Sequence, residues 1–512
     1  MNYLPIVLIS SFFFSIILTF LSYNKRMTAI EIVNNMGMGW NLGNTFDSYD
    51  INYNFKDIDE TITFWGNKVP TKEIFIRLKK YGFKTIRFPV TWMTYMDESG
   101  KVKKEWMSRV KEVVDWILSL NMYCIINVFH DGASGNWLSK GIIAKEKYIA
   151  LWSQIAEEFK YYDEYLVFES MNDVVYKTGD NYEYDTLLSL TQAFVDTIRN
   201  SKGNNNHRLL LISGADSEIE LTCSSGYLLP KDPNNKLGVS LHYYRPSQFT
   251  VERDDEPYTW TDESGNINII QPMTKWGSEG DYKDMFSNFE LMKKTFVDKG
   301  IAVIIVEVGV LTEQKKEIES IREYLYAEFS MSASYNGIMS CLWDTSVKNP
   351  GGMCYYDRVN DKWNDQIIKD NLKKISRGKY INPQDYYIIS NIDKTTNISP
   401  DGHLHMQIGN RKVKTIYFNC IINTKLFYNA VFGVVSSDKR GNWIGESISA
   451  SEAKRQYDGS YTITIDAINK DLNDYIEIQK WWLNEYIIFN YLTVEFDKNY
   501  TFFDYNEYKK NF

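Results

Sequence analysis

Two acidic residues, Asp173 and Glu307, each lie near the carboxyl end of a short apolar segment. The segments read Phe168-Glu169-Ser170-Met171-Asn172-Asp173 and Val303-Ile304-Ile305-Val306-Glu307-Val308-Gly309. Apolar, β-branched segments of this kind are typical of buried parallel strands. Two carboxyl groups at strand ends suit the hydrolysis of a glycosidic bond, in which one protonates the leaving oxygen and the other attacks the sugar. The alternative is that each acid only caps a helix or pairs with a cation.

The composition is that of a globular protein and argues against nucleic acid as a partner. The chain has 512 residues, of which 44% are hydrophobic, and this length accommodates one large barrel and a smaller module. Its formal net charge is -9, whereas domains that bind nucleic acid are usually basic. Aromatic residues reach 15%, which fits sugar stacking but also fits a chain that simply favours Tyr. The five Cys residues show no metal-ligand spacing, so we expect no metal or other cofactor.

The N-terminal segment Leu4–Tyr23 is almost wholly apolar. A segment of about 20 residues is long enough to span a bilayer and also resembles a long secretory signal. Lys25 and Arg26 follow it, which weakly favours a cytosolic body. A domain that acts on polysaccharide should face outward, so we interpret residues 1–26 as a signal peptide or a signal-anchor. We therefore expect an extracellular or cell-surface monomer, attached to the membrane if this segment is retained.

Eight apolar segments alternate with amphipathic helical patterns between residues 37 and 345. The segments are Gly37–Gly43, Thr85–Val90, Tyr123–His130, Tyr165–Asp173, Arg208–Gly214, Leu237–Tyr244, Ala302–Gly309 and Ile338–Thr345. Between them the spacing predicts helices, for example over Glu105–Met122. This alternation predicts an α/β fold, a (β/α)8 TIM barrel with its active site at the carboxyl ends of the strands. The alternative, an open doubly wound sheet, lacks support because no glycine-rich phosphate loop follows the first strand.

The pattern changes near residue 377. We interpret residues 27–376 as the barrel and the polar stretch 377–402 as a linker, and short strand-like segments over 403–512 predict a smaller all-β domain, a β-sandwich. Its residues Trp443, Trp481 and Trp482 would form a sugar platform, in which case the domain binds carbohydrate. The alternative is that either Trp481 or Trp482 is a core residue, because neighbours on a strand point to opposite faces.

Several motifs, in order along the chain, resemble those of glycoside hydrolase family 5, in particular its cellulase-like and xyloglucanase-like branches. They are Gly39-Trp40-Asn41-Leu42-Gly43-Asn44-Thr45-Phe46-Asp47, Trp65-Gly66-Asn67, Gly82-Phe83-Lys84-Thr85-Ile86-Arg87-Phe88-Pro89-Val90-Thr91-Trp92, the two acidic segments, His242-Tyr243-Tyr244 and Cys341-Leu342-Trp343-Asp344. The resemblance covers residues 31–375. It implies a glycoside hydrolase that cleaves β-1,4-linked glucan-type polysaccharide by a retaining mechanism, with Glu307 as nucleophile and Asp173 as general acid/base.

The resemblance also implies the roles of the surrounding residues. Arg87 would keep the nucleophile ionised, Tyr244 would hydrogen-bond to it, and His242 would lie near the acid/base. Asn172 would bond the sugar 2-hydroxyl, and Trp343 would form the floor of the cleavage site. The substrate-binding candidates are Arg87, Asn172, His242, Tyr244, Trp343, Asn44 and Trp137, with Trp65, Trp92 and Trp276 as further subsite candidates. The alternatives are a core ion pair for Arg87, a buried polar layer for His242 and Tyr244, and packing for the tryptophans.

Two positions depart clearly from the family pattern. Asp173 stands where the family has Glu, so its carboxyl group is set back by roughly one C–C bond, about 1.5 Å. Phe129 stands where the family has the first of two His residues, and His130 cannot replace it because strand side chains alternate in direction. In addition, Tyr95 stands where some members have a substrate-contacting His, and Val306 replaces a small residue. These departures leave open a non-catalytic carbohydrate-binding protein on a degenerate barrel, or a surface protein without a glycan ligand.

Overall fold

The structure is a computed structural model that describes residues 27–178, 181–261 and 267–380, together with a set of strands between residues 397 and 504. The chain divides into two compact units. One contains the described residues up to 244 with 290–309 and 335–364, and the other contains 245–289, 310–334 and the residues from 365 onward. The predicted signal or anchor segment Leu4–Tyr23 lies outside the described residues, and no described helix is long and apolar enough to cross a membrane.

Eight parallel strands of the first unit close into a barrel. Their bounds are β1 Gly39–Asn41, β2 Thr85–Phe88, β3 Tyr123–Asn127, β4 Leu166–Glu169, β5 Leu210–Ser213, β6 Leu237–Tyr243, β7 Ala302–Val308 and β8 Ile338–Leu342. Each strand pairs with the next, and β8 pairs with β1. Every strand lies inside one of the eight segments predicted from the sequence. The predicted α/β fold class, a (β/α)8 TIM barrel, is confirmed.

Helices follow most of the strands. Their bounds are α1 Ala29–Met36, α2 Ile58–Thr63, α3 Lys72–Tyr81, α4 Lys104–Leu118, α5 Lys145–Glu158, α6 Tyr184–Asn200, α7 Ile219–Thr222, α8 Ser247–Thr250, α9 Glu279–Thr295, α10 Ile318–Ser334 and α11 Gln366–Ile375. Helix α4 shows why these segments are helical: its buried residues recur every three or four positions, at Trp106, Val110, Val113 and Ile117. Helix α1 begins with a capping box between Thr28 and Glu31.

The barrel interior changes from apolar to polar along the strands. At the end nearer α1, inward residues such as Tyr123, Ile125, Val167, Ile304 and Met339 form one apolar cluster with that helix. Residues two positions further along a strand share the same face. The same alternation therefore brings Arg87, Asn127 and Glu169 to the interior at the carboxyl ends. An apolar floor thus supports a layer of polar side chains.

The described strands beyond residue 396 form two antiparallel sheets. One sheet has six strands, Asn397–Ile398, Val413–Ile422, Lys454–Arg455, Tyr461–Asp466, Ile487–Phe496 and Phe503–Asp504; the other has four, Leu404–Gln407, Val431–Ser437, Trp443–Ser449 and Tyr475–Trp481. Strands are present where the sequence predicts them, but packing of the two sheets into a β-sandwich stays a prediction. The domain boundaries also stay predictions. The side chains of Trp443, Trp481 and Trp482, and most of the linker 377–402, lie outside the described residues.

Candidate active site

A buried arginine connects the carboxyl ends of three strands. Arg87 of β2 is completely buried. Its Nε and Nη2 donate to the two carboxylate oxygens of Glu169 at 2.7 and 2.9 Å, and its Nη1 donates to Glu307 Oε1 at 2.7 Å. The two remaining N–H groups bond Asn172 Oδ1 at 2.6 Å and Asn41 Oδ1 at 3.2 Å. Since a guanidinium has five N–H donors, Arg87 is saturated by protein groups and acts on a ligand only through the residues it holds.

Glu307 carries its negative charge at the centre of this arrangement. It lies near the end of β7 and is 6% exposed. Besides the bond from Arg87, its Oε2 accepts a hydrogen bond from the Tyr244 hydroxyl at 3.0 Å, and His242 Nε2 lies 3.4 Å from its Oε1. Burial by itself would raise the pKa of Glu307, but His242, Arg87 and the Tyr244 hydrogen bond outweigh it and lower that pKa. Glu307 therefore stays ionised, as a carboxylate nucleophile must.

Asp173 occupies a different kind of position. Strand β4 ends at Glu169, earlier than the sequence predicted, and Asp173 lies four residues further on in a loop. Its φ of 44° is in the left-handed region, which a residue with a Cβ adopts at some energetic cost. The side chain is exposed to solvent. Asp173 is thus accessible to a ligand, in contrast to the buried Glu169.

The surroundings of Asp173 raise the pKa of its carboxyl group. Although solvent reaches the side chain, the neighbouring protein displaces much of its hydration, and this desolvation is the largest cause. His242 acts in the opposite direction, whereas the negative charges of Glu307, Asp216 and Glu218 raise the pKa further. A raised pKa favours the protonated form that a general acid needs. The pKa values of Asp173 and Glu307 are therefore shifted in opposite directions, the pattern that assigns acid and nucleophile in a carboxyl pair.

Asn172 and His242 complete the polar wall around the two carboxyl groups. The amide oxygen of Asn172 accepts a bond from Arg87, which fixes the direction in which its amide nitrogen points. His242 was expected near the acid/base, and its charge does lower the pKa of Asp173. Its Nε2, however, lies against Glu307. One imidazole thus influences both carboxyl groups.

Trp343 and Phe129 form an aromatic pair next to Arg87. Trp343 follows β8 and is half-buried; its ring lies parallel to that of Phe129, with centroids 5.7 Å apart and planes 5° apart. The carbon at the centre of the Arg87 guanidinium lies 5.3 Å from the Phe129 ring centroid. At Gly43 a Cβ atom would lie 3.2 Å from the Trp343 ring, so this residue allows close approach of the backbone. Phe129 therefore supports the tryptophan with an apolar ring where an imidazole was expected from the family pattern.

His130 does not take over the position that Phe129 occupies. Its Nδ1 is 2.8 Å from the backbone oxygen of Asp47. Its ring packs against Tyr49 and Trp65, with centroid distances of 5.0 and 5.4 Å. Strand alternation, the reason expected from the sequence, does not decide this orientation, because β3 ends at Asn127 and His130 begins a short 3₁₀ helix, His130–Gly132. His130, Tyr49 and Trp65 instead form a half-buried aromatic group.

The subsite tryptophans fall into two classes. Trp92 is completely buried, and its Nε1 donates to the backbone oxygen of Asn127 at 2.9 Å. Trp276, in the second unit, is 4% exposed and packs on neighbouring tyrosines. Both are packing residues, so their assignment as subsite candidates is corrected. Trp65 and Trp137 are half-buried and present part of their rings to solvent, and they remain subsite candidates.

Asn44, an expected substrate contact, and Tyr95, a departure from the family pattern, both make contacts within the protein. The backbone N–H of Asn44 donates to the Asp47 carboxylate at 2.9 Å, and Asn44 has a φ of 55°, so it forms a tight turn beside Gly43. Tyr95 stacks on Trp106 with ring centroids 4.6 Å apart. The Tyr95 hydroxyl lies 2.7 Å from that of Thr61. Tyr95 is therefore occupied in packing rather than in contact with a substrate.

Sequence reasoning missed three buried polar residues of this site. Glu169 pairs with Arg87, Asn127 donates to Glu169 Oε2 at 3.1 Å, and Asn41 bonds Arg87. Each is the last residue of its strand and lies on the inward face, so a polar residue ending an otherwise apolar strand was the available signal. Within the described residues, no group of three or more His, Cys, Asp or Glu side chains is placed to hold a metal ion.

An eight-stranded α/β barrel with one carboxyl group near a strand end and a second in a loop beyond a strand, with their pKa values shifted in opposite directions, fits a glycoside hydrolase. The family profile described as Cellulase (glycosyl hydrolase family 5) matches residues 46–349. The chain therefore belongs to glycosyl hydrolase family 5, as the motifs indicated. Endoglucanase A of Paenibacillus barcinonensis is 31% identical over 369 residues, which are 67% of this chain and 89% of that protein.

Solved structures agree with this classification. A GH5-4 broad specificity endoglucanase from an uncultured bovine rumen ciliate is 59% identical, with a TM-score of 0.68, over 69% of this chain and 99% of that chain. A family 5 xyloglucanase from Paenibacillus pabuli is 30% identical, with a TM-score of 0.58, over 67% of this chain and 99% of that chain. The predicted activity, a glycosidase that cleaves β-1,4-glucans, is confirmed, and the non-catalytic binding alternative is not favoured.

Proposed function

We propose that the protein is an endo-acting β-1,4-glucanase that works with retention of anomeric configuration, with Glu307 as nucleophile and Asp173 as acid/base. The observation that carries this proposal is the bonding of Glu307 by Arg87 and Tyr244 inside the barrel, while Asp173 lies exposed in a loop. In agreement with it, the pKa of Glu307 is lowered and that of Asp173 is raised. Arg87, His242 and Tyr244 favour the charged form of Glu307, whereas desolvation and nearby carboxylates favour the neutral form of Asp173. Each shift favours the protonation state that the first catalytic task of that group requires.

The reaction follows from these states in two displacements. In the first, Glu307 attacks the anomeric carbon while Asp173 transfers its proton to the glycosidic oxygen, so that the C–O bond to the leaving sugar breaks and a glycosyl ester on Glu307 forms. In the second, Asp173 takes a proton from water, which attacks the anomeric carbon and releases the Glu307 carboxylate. Arg87 and Tyr244 stabilise the carboxylate whenever it is free.

Glu169 is the other acid near the cleft, and its environment argues against a catalytic role. It is 1% exposed, and it receives two bonds from Arg87 and one from Asn127. An acid so bound has no route to a glycosidic oxygen. We infer that Glu169 balances the charge of Arg87 and orients it toward Glu307.

For the substrate, we propose β-1,4-linked glucan chains, including those with side branches. The half-buried rings of Trp343, Trp65 and Trp137 offer apolar faces for sugar rings. The relatives described above are called a broad specificity endoglucanase and a xyloglucanase, which supports a cleft that accepts more than one glucan. Because such polymers are extracellular, we propose that the protein acts outside the cell or at its surface as a monomer. Sequencing the N-terminus of the native protein would show whether Leu4–Tyr23 is removed.

Product analysis on defined glucans tests the proposal. Purified residues 27–512 would be incubated with cellulose oligomers, xyloglucan, mixed-linkage glucan and mannan, with the Glu307→Gln protein prepared in parallel as a control for contaminating glycosidases. We expect internal cleavage of the glucans and, by proton NMR in the first minutes, release of the β-anomer. Initial release of the α-anomer would show an inverting reaction and rule out a covalent intermediate on Glu307. Cleavage confined to mannan would contradict the substrate assignment.

A further inference from the structure

Strand β7 is irregular just before the proposed nucleophile. Along β6, Leu241 pairs with Ile305 and the next residue, His242, pairs with Glu307. Along β8 the register shifts by one residue over the same stretch, between Ile305 and Val308. Val306 is therefore an extra residue relative to both neighbouring strands, which defines a β-bulge.

This bulge decides where Glu307 points. Ala302, Ile304 and Val306 all belong to the apolar cluster inside the barrel, so regular alternation would direct Glu307 away from the interior. Its carboxylate nevertheless bonds Arg87 inside the barrel. The extra residue thus turns Glu307 inward, and the position of the nucleophile depends on the bulge keeping its shape.

The side chain of Asn41, at the end of β1, hydrogen-bonds to the bulge from two strands away in the barrel. Its Nδ2 donates to the backbone oxygen of Val306 at 2.8 Å and also lies 3.2 Å from the backbone oxygen of Leu342. Its Oδ1 accepts from Arg87 Nη1 at 3.2 Å, the same nitrogen that bonds Glu307 Oε1. Asn41 is completely buried, and the partners leave only one orientation for its amide, since carbonyls need a donor and a guanidinium needs an acceptor.

We propose that Asn41 is a positioning residue for the nucleophile, an inference that rests on the proposed function of Glu307. One amide ties the peptide bond before Glu307 to the guanidinium that holds the Glu307 carboxylate. Catalytic groups must stay within about 0.5 Å of their productive position, and the bulge offers no regular strand pairing to ensure this. Asn41 itself, being buried, touches no substrate.

The chain contains a matched control for the loss of such an amide. Asn205 is also completely buried. Its Nδ2 donates to the backbone oxygen of Ala156 at 2.8 Å, and its Oδ1 accepts from a buried arginine, Arg208, at 2.9 Å. It therefore makes the same two kinds of bond on α5 and the segment before β5, away from Glu307. Asn41→Leu and Asn205→Leu remove the same kinds of hydrogen bond. Those of Asn41 lie beside the proposed nucleophile, whereas those of Asn205 do not.

The test measures the nucleophilic step alone. A 2-deoxy-2-fluoro-cellobioside with a dinitrophenolate leaving group forms a bond from Glu307 to the anomeric carbon and releases the phenolate without needing a proton. We expect Asn41→Leu to slow this trapping at least about tenfold and to move the acidic limb of its pH profile to higher pH, because Arg87 is less firmly held against Glu307. We expect Asn205→Leu to lower the melting temperature but to trap at the wild-type rate.

A second variant, Asn41→Asp, and mass spectrometry of the trapped label complete the test. If Asn41→Leu does not fold, Asn41→Asp retains the size of the side chain but cannot donate to Val306, and its added carboxylate should also move the acidic limb upward. Folded Asn41 variants with wild-type trapping rate and pH profile would overturn the inference while leaving the role of Glu307 intact. Mass spectrometry that finds the label on a residue other than Glu307 would overturn the proposed function, and this inference with it.

Discussion

The two sides of the cleft surround their carboxyl groups in opposite ways. On one side Glu307 lies near the end of a barrel strand, is buried, and is bonded by Arg87 and Tyr244. On the other side Asp173 lies in a loop beyond its strand, is exposed, and has a backbone conformation unusual for a residue with a side chain. A group that must stay charged is surrounded by fixed donors, whereas a group that must lose and regain a proton is left in reach of water and substrate.

The proposed mechanism places the shorter aspartate on the less constrained of these two sides. The strand side of the site is fixed by five bonds from one guanidinium, so any change there disturbs several partners at once. The loop side is no longer paired into the barrel sheet after Glu169, so the position of Asp173 depends on fewer partners. Variants on each side should therefore fail in different ways, beginning with those of largest effect.

Replacing the nucleophile should abolish hydrolysis. Glu307→Gln keeps the shape of the side chain but cannot form the glycosyl ester, so we expect the rate on glucan to fall by at least about 10⁴-fold. Reducing-sugar release measures it. Glu317→Gln, on the surface of the second unit, should retain the wild-type rate within about twofold. A loss below about tenfold in Glu307→Gln would mean that another group attacks the sugar.

Replacing the acid/base should make the rate depend on the leaving group. Asp173→Asn cannot donate a proton, so we expect glucan hydrolysis to fall by about 10² to 10⁴-fold. Formation of the glycosyl-enzyme from a dinitrophenyl cellobioside should change much less, because that leaving group departs without a proton. Burst kinetics on both substrates provide the comparison. An equal loss on both would contradict the assignment of Asp173.

Replacing Arg87 should lower the free energy of unfolding. Arg87→Leu leaves Glu169 and Glu307 buried without their cation, and breaking one partner of a buried ion pair costs about 3–5 kcal/mol. Arg109, which pairs with Glu112 on the surface of α4, provides the matched control, since exposed pairs contribute about 0–1 kcal/mol. Urea unfolding of both Leu variants measures the difference. Equal stabilities would show that the network around Arg87 does not hold the fold.

Removing one hydroxyl should change the pH profile while the fold remains. Tyr244→Phe deletes a hydrogen bond to the charged form of Glu307, and this bond is one of the causes that lower its pKa. Without it the pKa rises, so the acidic limb of kcat/KM should move to higher pH, with a loss of about tenfold at the optimum. The basic limb, which reports Asp173 as a proton donor, should stay in place. A shift of the basic limb alone would assign the two carboxyl groups the other way round.

Part of the site was readable from the sequence because strands obey a simple rule. Short continuous apolar segments that alternate with helical patterns predict eight strands, and an acid or arginine near the end of such a strand is conspicuous. This was sufficient for the barrel and for the two carboxyl groups as candidates. The exposure of the tryptophans could not be predicted from the sequence. Trp92 and Trp137 both follow strands, yet Trp92 is buried and Trp137 is half-exposed. This difference arises from the packing of segments that are distant in the sequence.

The sequence by itself determined the strand order, the family and the chemical type of the two central residues, because these depend on local periodicity and residue identity. Only the tertiary structure decided that Arg87 is shared between Glu169 and Glu307, that Phe129 supports Trp343, and that Val306 is an extra residue in β7. A bulge of one residue reverses the direction of every side chain after it. Its presence depends on the register of two neighbouring strands and on a side chain 265 residues away, which no local pattern contains.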